Sequence, residues 1–258
     1  MGVSPVNAGE VASSEVVGES VSPRPSEKSS PLSTVPSPTR GEGRNETERR
    51  IVVVGCGPGS LDYVTEAARR AVAEAEVLVG SRRLLETFAS HGGERIVVGS
   101  NVAAALDQIA RRREEGRRIA VLVSGDPGVF SLSASVVRRF GRAACEVVPG
   151  ISSVQVAFAR LGLGWTDARI LSAHGRLPDV VVNELRHHHK IAILAGARDA
   201  ITWSGAMAGR LAESHAAFLC ENLTLDDERV RALTPKELAA AEASPLSIVL
   251  LIERRWLT

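Results

Sequence analysis

From Ile51 onward, short runs of branched and aliphatic residues alternate with stretches whose apolar positions recur every three or four residues. The runs at 51–54, 77–79, 95–98, 118–123 and 145–148 are rich in Val and Ile and too short for helices, so they predict strands. The helical spacing between them predicts helices near 62–74, 82–89, 101–115, 129–140 and 151–161. Continuously apolar strands separated by helices describe parallel strands with crossover helices. After Leu161-Gly162-Leu163-Gly164 the alternation restarts, predicting strands at 168–172, 191–195, 216–220, 226–231 and 246–253 and helices near 178–188, 199–213 and 235–242. The runs between 216 and 231 lie close enough for an antiparallel pair. The pattern therefore predicts an α/β protein with two α/β domains, residues 50–164 and 165–258. Their boundary near 163–167 carries glycines that suit a hinge.

Residues 1–49 are different. They are rich in Ser, Pro, Glu and Gly and poor in large apolar side chains, so they are expected to stay disordered. The segment lacks the basic start and apolar core of a secretory signal, and its acids do not suit a transit peptide. The remaining apolar content supports real cores: 44% of the 258 residues are hydrophobic. A net charge of +1 leaves no electrostatic footprint for nucleic acid as a main partner. The arginine clusters at 111–113, 117–118, 138–139 and 254–255 sit beside acids or at helix ends and are read as solvated faces. Cys56, Cys145 and Cys220 are far apart and make no metal or redox spacing, which points to a reducing, cytoplasmic setting. No apolar run approaches the ~20 residues needed to cross a membrane.

Three corners carry the candidate chemistry. "VVVGCGPGS", "VLVSGDPG" and "EVVPGISS" each run from an apolar strand through a Gly/Pro turn towards a helix. Ligands of open parallel sheets bind beyond such carboxyl ends. A dinucleotide reading fails on particulars: Ser60 stands where GxGxxG needs its third glycine, Pro58 removes an amide, and the second strand ends in Gly80-Ser81 without an acid. No GK[ST] follows, so a P-loop is excluded.

The segments "VVGCGPGSLDYVT", "VLVSGDPGVFSL", "VVPGISSVQVAFARLGLGW" and "ILSAHGR", in this order, resemble the tetrapyrrole methylase family. Within it, "VGSRRLLE", "SAHGR" and "CENLT" resemble the branch that methylates C(5) of cobalt-precorrin-7. The resemblance covers nearly all of 51–253. It implies the class III methyltransferase fold, two α/β domains with an active-site trough between them, S-adenosylmethionine as methyl donor, a tetrapyrrole substrate and no protein-bound metal. It also implies a homodimer and a separate enzyme for the C(15) methylation and decarboxylation. Competing readings are another branch of the family, acting on ribosomal RNA or a diphthamide precursor, and a non-catalytic nucleotide-binding module.

Carried over residue by residue, the resemblance places Gly57, Pro58, Gly125, Asp126, Ser152 and Ser153 around the donor, with Ala195 and Glu221 completing its pocket from the second domain. Asp126 is the candidate catalytic residue, orienting the tetrapyrrole or removing a proton; its competing role is to close an Asx turn or cap the next helix. Arg83, His174 and Arg176 are candidates for the substrate's carboxylates, with Arg160 a further cation. Helix capping competes at Arg83, and plain hydrogen bonding at His174. The adjacent His187, His188 and His189 point in different directions on a helix and are read as a solvated end rather than a metal site.

Overall fold

The structure, a computed structural model, describes residues 50–242 and 244–257. The disorder expected of 1–49 lies outside the described residues. Strands β1 (Ile51–Gly55), β2 (Val77–Gly80), β3 (Glu94–Val97), β4 (Ile119–Val123) and β5 (Cys145–Val148) form a parallel sheet in the order β3-β2-β4-β1-β5. Helices α1 (Glu66–Glu74), α2 (Arg82–Thr87), α3 (Val102–Glu114) and α4 (Ser133–Phe140) connect them. The inner strands β1, β2 and β4 read as unbroken apolar runs because both faces are covered. Val54, Leu78, Ala120 and Leu122 pack with Ala68, Val72, Leu84 and Leu85 on one side. Val53, Val79, Ile119 and Val121 pack with Ile109 and Val136 on the other.

The second sheet, β6 (Arg169–Ser172), β7 (Lys190–Leu194), β8 (His215–Glu221), β9 (Arg229–Leu233) and β10 (Ser247–Glu253), is mixed. Its order is β6-β7-β10-β8-β9, with β6 and β7 parallel and the other neighbours antiparallel. The pairing of β8 with β9 is the antiparallel pair that their short connection predicts. Helices α6 (Val182–Leu185), α7 (Arg198–Arg210) and α8 (Pro235–Ala240) complete this half.

Two elements depart from the expected pattern. The fourth helix begins at Ser133 rather than 129, because residues 126–131 close on themselves: Val129 N donates to Asp126 O (3.1 Å), and Ser131 Oγ donates to Pro127 O (2.6 Å). Helix α5 (Ser153–Arg160) precedes the Gly-rich link, yet Val154, Ala157 and Phe158 are buried with Ala192, Ile248, Leu250 and Ile252 of the second sheet. By packing, the seam between the halves falls before α5. Helical spacing shows that a helix has an apolar face but not which sheet that face covers.

The corners after β1, β4 and β5 touch through their main chains. A Cβ on Gly55 would lie 2.6 Å from Gly150 N and 2.7 Å from Pro127 Cδ. One on Gly150 would collide with Gly125 O and come within 2.7 Å of the Gly55 carbonyl carbon. Gly150→Ala is therefore expected to cost about 2–3 kcal/mol, an overpacking penalty that lowers Tm by about 4–12 °C. Gly99→Ala, where a Cβ meets nothing within 4 Å, serves as the neutral control. Calorimetry of both variants checks this; equal Tm values would show that the corners are not in contact.

Candidate active site

A cleft of about 350 Å³ opens between the corners of the first sheet and the ends of β7 and β10 in the second. Pro58, Gly125, Asp126, Ser152 and Ser153 line it from the corners, and Arg83 from the start of α2. Ala195, Gly196 and Ser247 line the opposite wall, with His174 beyond β6. The strand ends at Ala195, Gly196 and Ser247 carry small side chains, while Leu194, Leu223, Leu246 and Ile248 give the same wall an apolar surface.

Each corner is fixed by local bonds. Gly57 and Gly125, both with positive φ (72° and 66°), exchange main-chain hydrogen bonds as an antiparallel bridge: Gly125 N donates to Gly57 O (2.7 Å) and Gly57 N to Gly125 O (3.3 Å). Gly57 therefore stands behind the lining and braces it. Asp126 joins two corners: Oδ1 accepts from Gly128 N (2.8 Å) and Oδ2 from Gly150 N (3.2 Å). Both carboxylate oxygens accept from main-chain amides, the contacts of a turn-closing residue, while Asp126 also lines the cleft.

Ser152 is the N-cap of α5. Its Oγ accepts from Val154 N (3.2 Å), and Gln155 Oε1 accepts from Ser152 N (2.8 Å), forming a capping box. The hydroxyl is committed to the helix, whose amino end beside Ser153 favours negative charge in the cleft. Ala195 N donates to Ser247 O (3.0 Å), extending the β7–β10 ladder by one rung, so the strand end is held while its methyl leaves room.

The cations are unequal. Arg83 is half-buried and donates to Ser124 Oγ (3.0 Å). Burial pulls its guanidinium below the usual arginine range, partly offset by the neighbouring Cys56. Among the described residues no carboxylate pairs with it. Arg160 differs: Glu228 and then Tyr63 hold its pKa above the usual range, and it is spent on that pair. His174 is exposed in the cleft, its Nδ1 lying 3.3 Å from where a Cβ on Gly196 would project. Arg176 is exposed but does not line the cleft.

Glu221 is placed differently from the expectation. It is fully buried at the end of β8, with Arg229 (3.2 Å) and Arg231 (2.8 Å) of β9 on its two oxygens. The carboxylate turns sideways to the neighbouring strand, not into the cleft, and it is Leu223 that lines the cleft. His189 pairs with Glu253 (2.7 Å), and among the described residues no group of His, Cys, Asp or Glu is arranged to hold a metal. Burial pushes the Cys56 and Cys220 thiols up to about 12, which makes them poor nucleophiles. Sequence reasoning missed Ser124, Gly196 and Ser247, which follow or begin strands much as the recognised corners do. It also missed Phe130, hidden as a residue of the expected helix at 129–140.

The profile of tetrapyrrole (corrin/porphyrin) methylases matches residues 50–239. A cobalt-precorrin-7 C(5)-methyltransferase of Salmonella typhimurium is 34% identical over 205 residues, spanning 79% of this chain and all of that protein. The crystal structure of a precorrin-6Y methylase from Archaeoglobus fulgidus is similar at a TM-score of 0.61 and 29% identity, covering 80% of this chain and 98% of that one. A Thermus thermophilus uroporphyrin-III C-methyl transferase, solved with S-adenosyl homocysteine, shares the fold at a TM-score of 0.67 and 24% identity, covering 81% of this chain and all of that one.

Asp126→Asn tests the turn-closing role. An amide side chain must set its NH2 against the Gly128 or Gly150 N–H, which is expected to cost about 1–3 kcal/mol. Urea denaturation reads this as a lowered midpoint; a midpoint unchanged alongside lost activity would return Asp126 to a chemical role.

Proposed function

Because the chain belongs to the tetrapyrrole methylases, we propose that it transfers a methyl group from S-adenosylmethionine to C(5) of cobalt-precorrin-7, or of the cobalt-free precorrin, in cobalamin biosynthesis. The observation that carries this reading is the meeting of three side-chain-poor corners at one cleft whose rim holds a half-buried arginine without a carboxylate partner among the described residues. Those residues fit the donor. The main chain at Gly125 and Asp126, the amino end of α5 at Ser152 and Ser153, and the strand end at Ala195 and Gly196 would hold it, with Pro58 at the mouth. When bound, S-adenosylmethionine supplies a sulfonium methyl that is already electrophilic.

The chain's own work is then positional. Asp126 and the Gly57–Gly125 bridge keep the corners in register, and the opposing strand ends set the width of the cleft. Fixing two reactants in line can contribute ~7–11 kcal/mol to a displacement, so no strong base is required. Arg83 offers the substrate's carboxylates a planar, bidentate partner on the cleft wall, His174 a second donor, and Arg176 an outer cation on the loop beyond. The segment beginning at Glu221 contributes Leu223 to the cleft. The reading includes a homodimer, a separate enzyme for the C(15) step, and a cytoplasmic setting that suits three free thiols. Among the described residues no helix is long and apolar enough to cross a membrane.

Incubation with the tetrapyrrole and labelled donor, followed by mass spectrometry and location of the new methyl, tests the reaction. One methyl at C(5) is expected; methyl incorporated into RNA, or none transferred, would remove the reading. Arg83→Gln is expected to raise KM for the tetrapyrrole by about tenfold or more, since hydrogen bonds to charged groups contribute ~1.5–3 kcal/mol. Affinity for S-adenosylhomocysteine should stay unchanged, and an unaltered KM would take Arg83 out of substrate binding.

A further inference from the structure

Phe130 combines two unfavourable features. Its φ is +44°, in the left-handed region that non-glycine residues rarely occupy, and its side chain is 63% exposed. Neither reflects a loose segment. Asp126 Oδ1 and Asp126 O hold Gly128 N and Val129 N before it. Ser131, immediately after it, bonds back to Pro127 O and accepts from Ser133 N (3.1 Å). A helix begun at 129, as the apolar spacing suggests, would have given Phe130 ordinary backbone geometry. The loop instead turns out at this residue and presents the ring to the cleft that Arg83 and His174 also line.

An exposed ring held by a strained backbone in the same cleft as an arginine and a histidine suits a ligand that is flat and apolar on its face and charged at its edge. We propose that Phe130 is the surface on which the conjugated face of the macrocycle stacks, while Arg83 takes carboxylates at its edge. The assignment rests on the methyltransferase reading above and adds a substrate-binding residue to it. The donor's adenine also has a π-face and Phe130 lines the same cleft, so the donor titration run in parallel is what assigns the ring to the macrocycle.

The test is an absorbance titration of the tetrapyrrole into wild type, Phe130→Leu, Phe130→Tyr and Phe130→Gly, with S-adenosylhomocysteine affinity measured in parallel. Phe130→Leu is expected to weaken tetrapyrrole binding about five- to tenfold, the size of one aromatic contact. Phe130→Tyr should bind as wild type does. Phe130→Gly accepts the positive φ without strain, so it should keep its Tm and donor affinity while losing tetrapyrrole affinity. Phe130→Leu binding the tetrapyrrole as tightly as wild type would overturn the stacking role and leave the methyltransferase reading intact. Equal loss of donor affinity in Phe130→Leu and Phe130→Gly would also overturn it, since the loop would then be merely structural. Failure of wild type to bind the tetrapyrrole at all would remove the reading itself, and the inference with it.

Discussion

The contact among Gly55, Gly125 and Gly150 is the constraint on which the rest of the site depends. Three parallel strands end side by side, and their turns approach until no Cβ fits at Gly55 or Gly150. Pro127 packs on Gly55, the Gly57–Gly125 bridge ties the first corner to the second, and Asp126 ties the second to the third. The bridge is made by main-chain groups alone and the Asp126 tie by a carboxylate on main-chain amides, so the corners are held together without bulky side chains between them. An active site that works by orientation needs a rigid wall more than a reactive one.

The opposite wall is attached through more than the Gly-rich link. Helix α5 leaves the third corner and buries its apolar face in the second sheet, so the residues that cap it at the cleft are anchored to both halves. Ser60 N donates to Thr224 Oγ1 (3.0 Å), and Arg160 pairs with Glu228, joining the first corner's segment and α5 to the loop after β8. Asn222 and Thr224 take positive φ in that loop, a local cost accepted where the halves meet. These bonds tie the two walls together across the seam in addition to the link that carries Gly162 and Gly164.

The inner strands were legible because a strand buried on both faces must be apolar throughout, and runs of Val, Ile and Leu record that directly. The corners were legible because glycine and proline are needed where main chains meet. Much else depends on direction, which composition does not record. Glu221 follows a strand like a cleft residue, but its carboxylate answers to Arg229 and Arg231, alternate residues of the adjoining antiparallel strand; their spacing was the available signal. Phe130 carried no such signal, since an aromatic among apolar neighbours reads as helix until the hydrogen bonds of 126–131 are seen. The partner of α5 was also hidden, because an amphipathic helix fits either sheet equally well by pattern.

The central claim is that the meeting corners form the donor site. A crystal structure of the protein grown with S-adenosylhomocysteine tests it most directly. The account predicts the ligand in the cleft, against the main chain of Gly125 and Asp126, the start of α5 at Ser153, and Ala195 across from them. Density for the ligand elsewhere, such as the groove lined by Arg50, Arg118 and Glu146 at the far end of the first sheet, would contradict it.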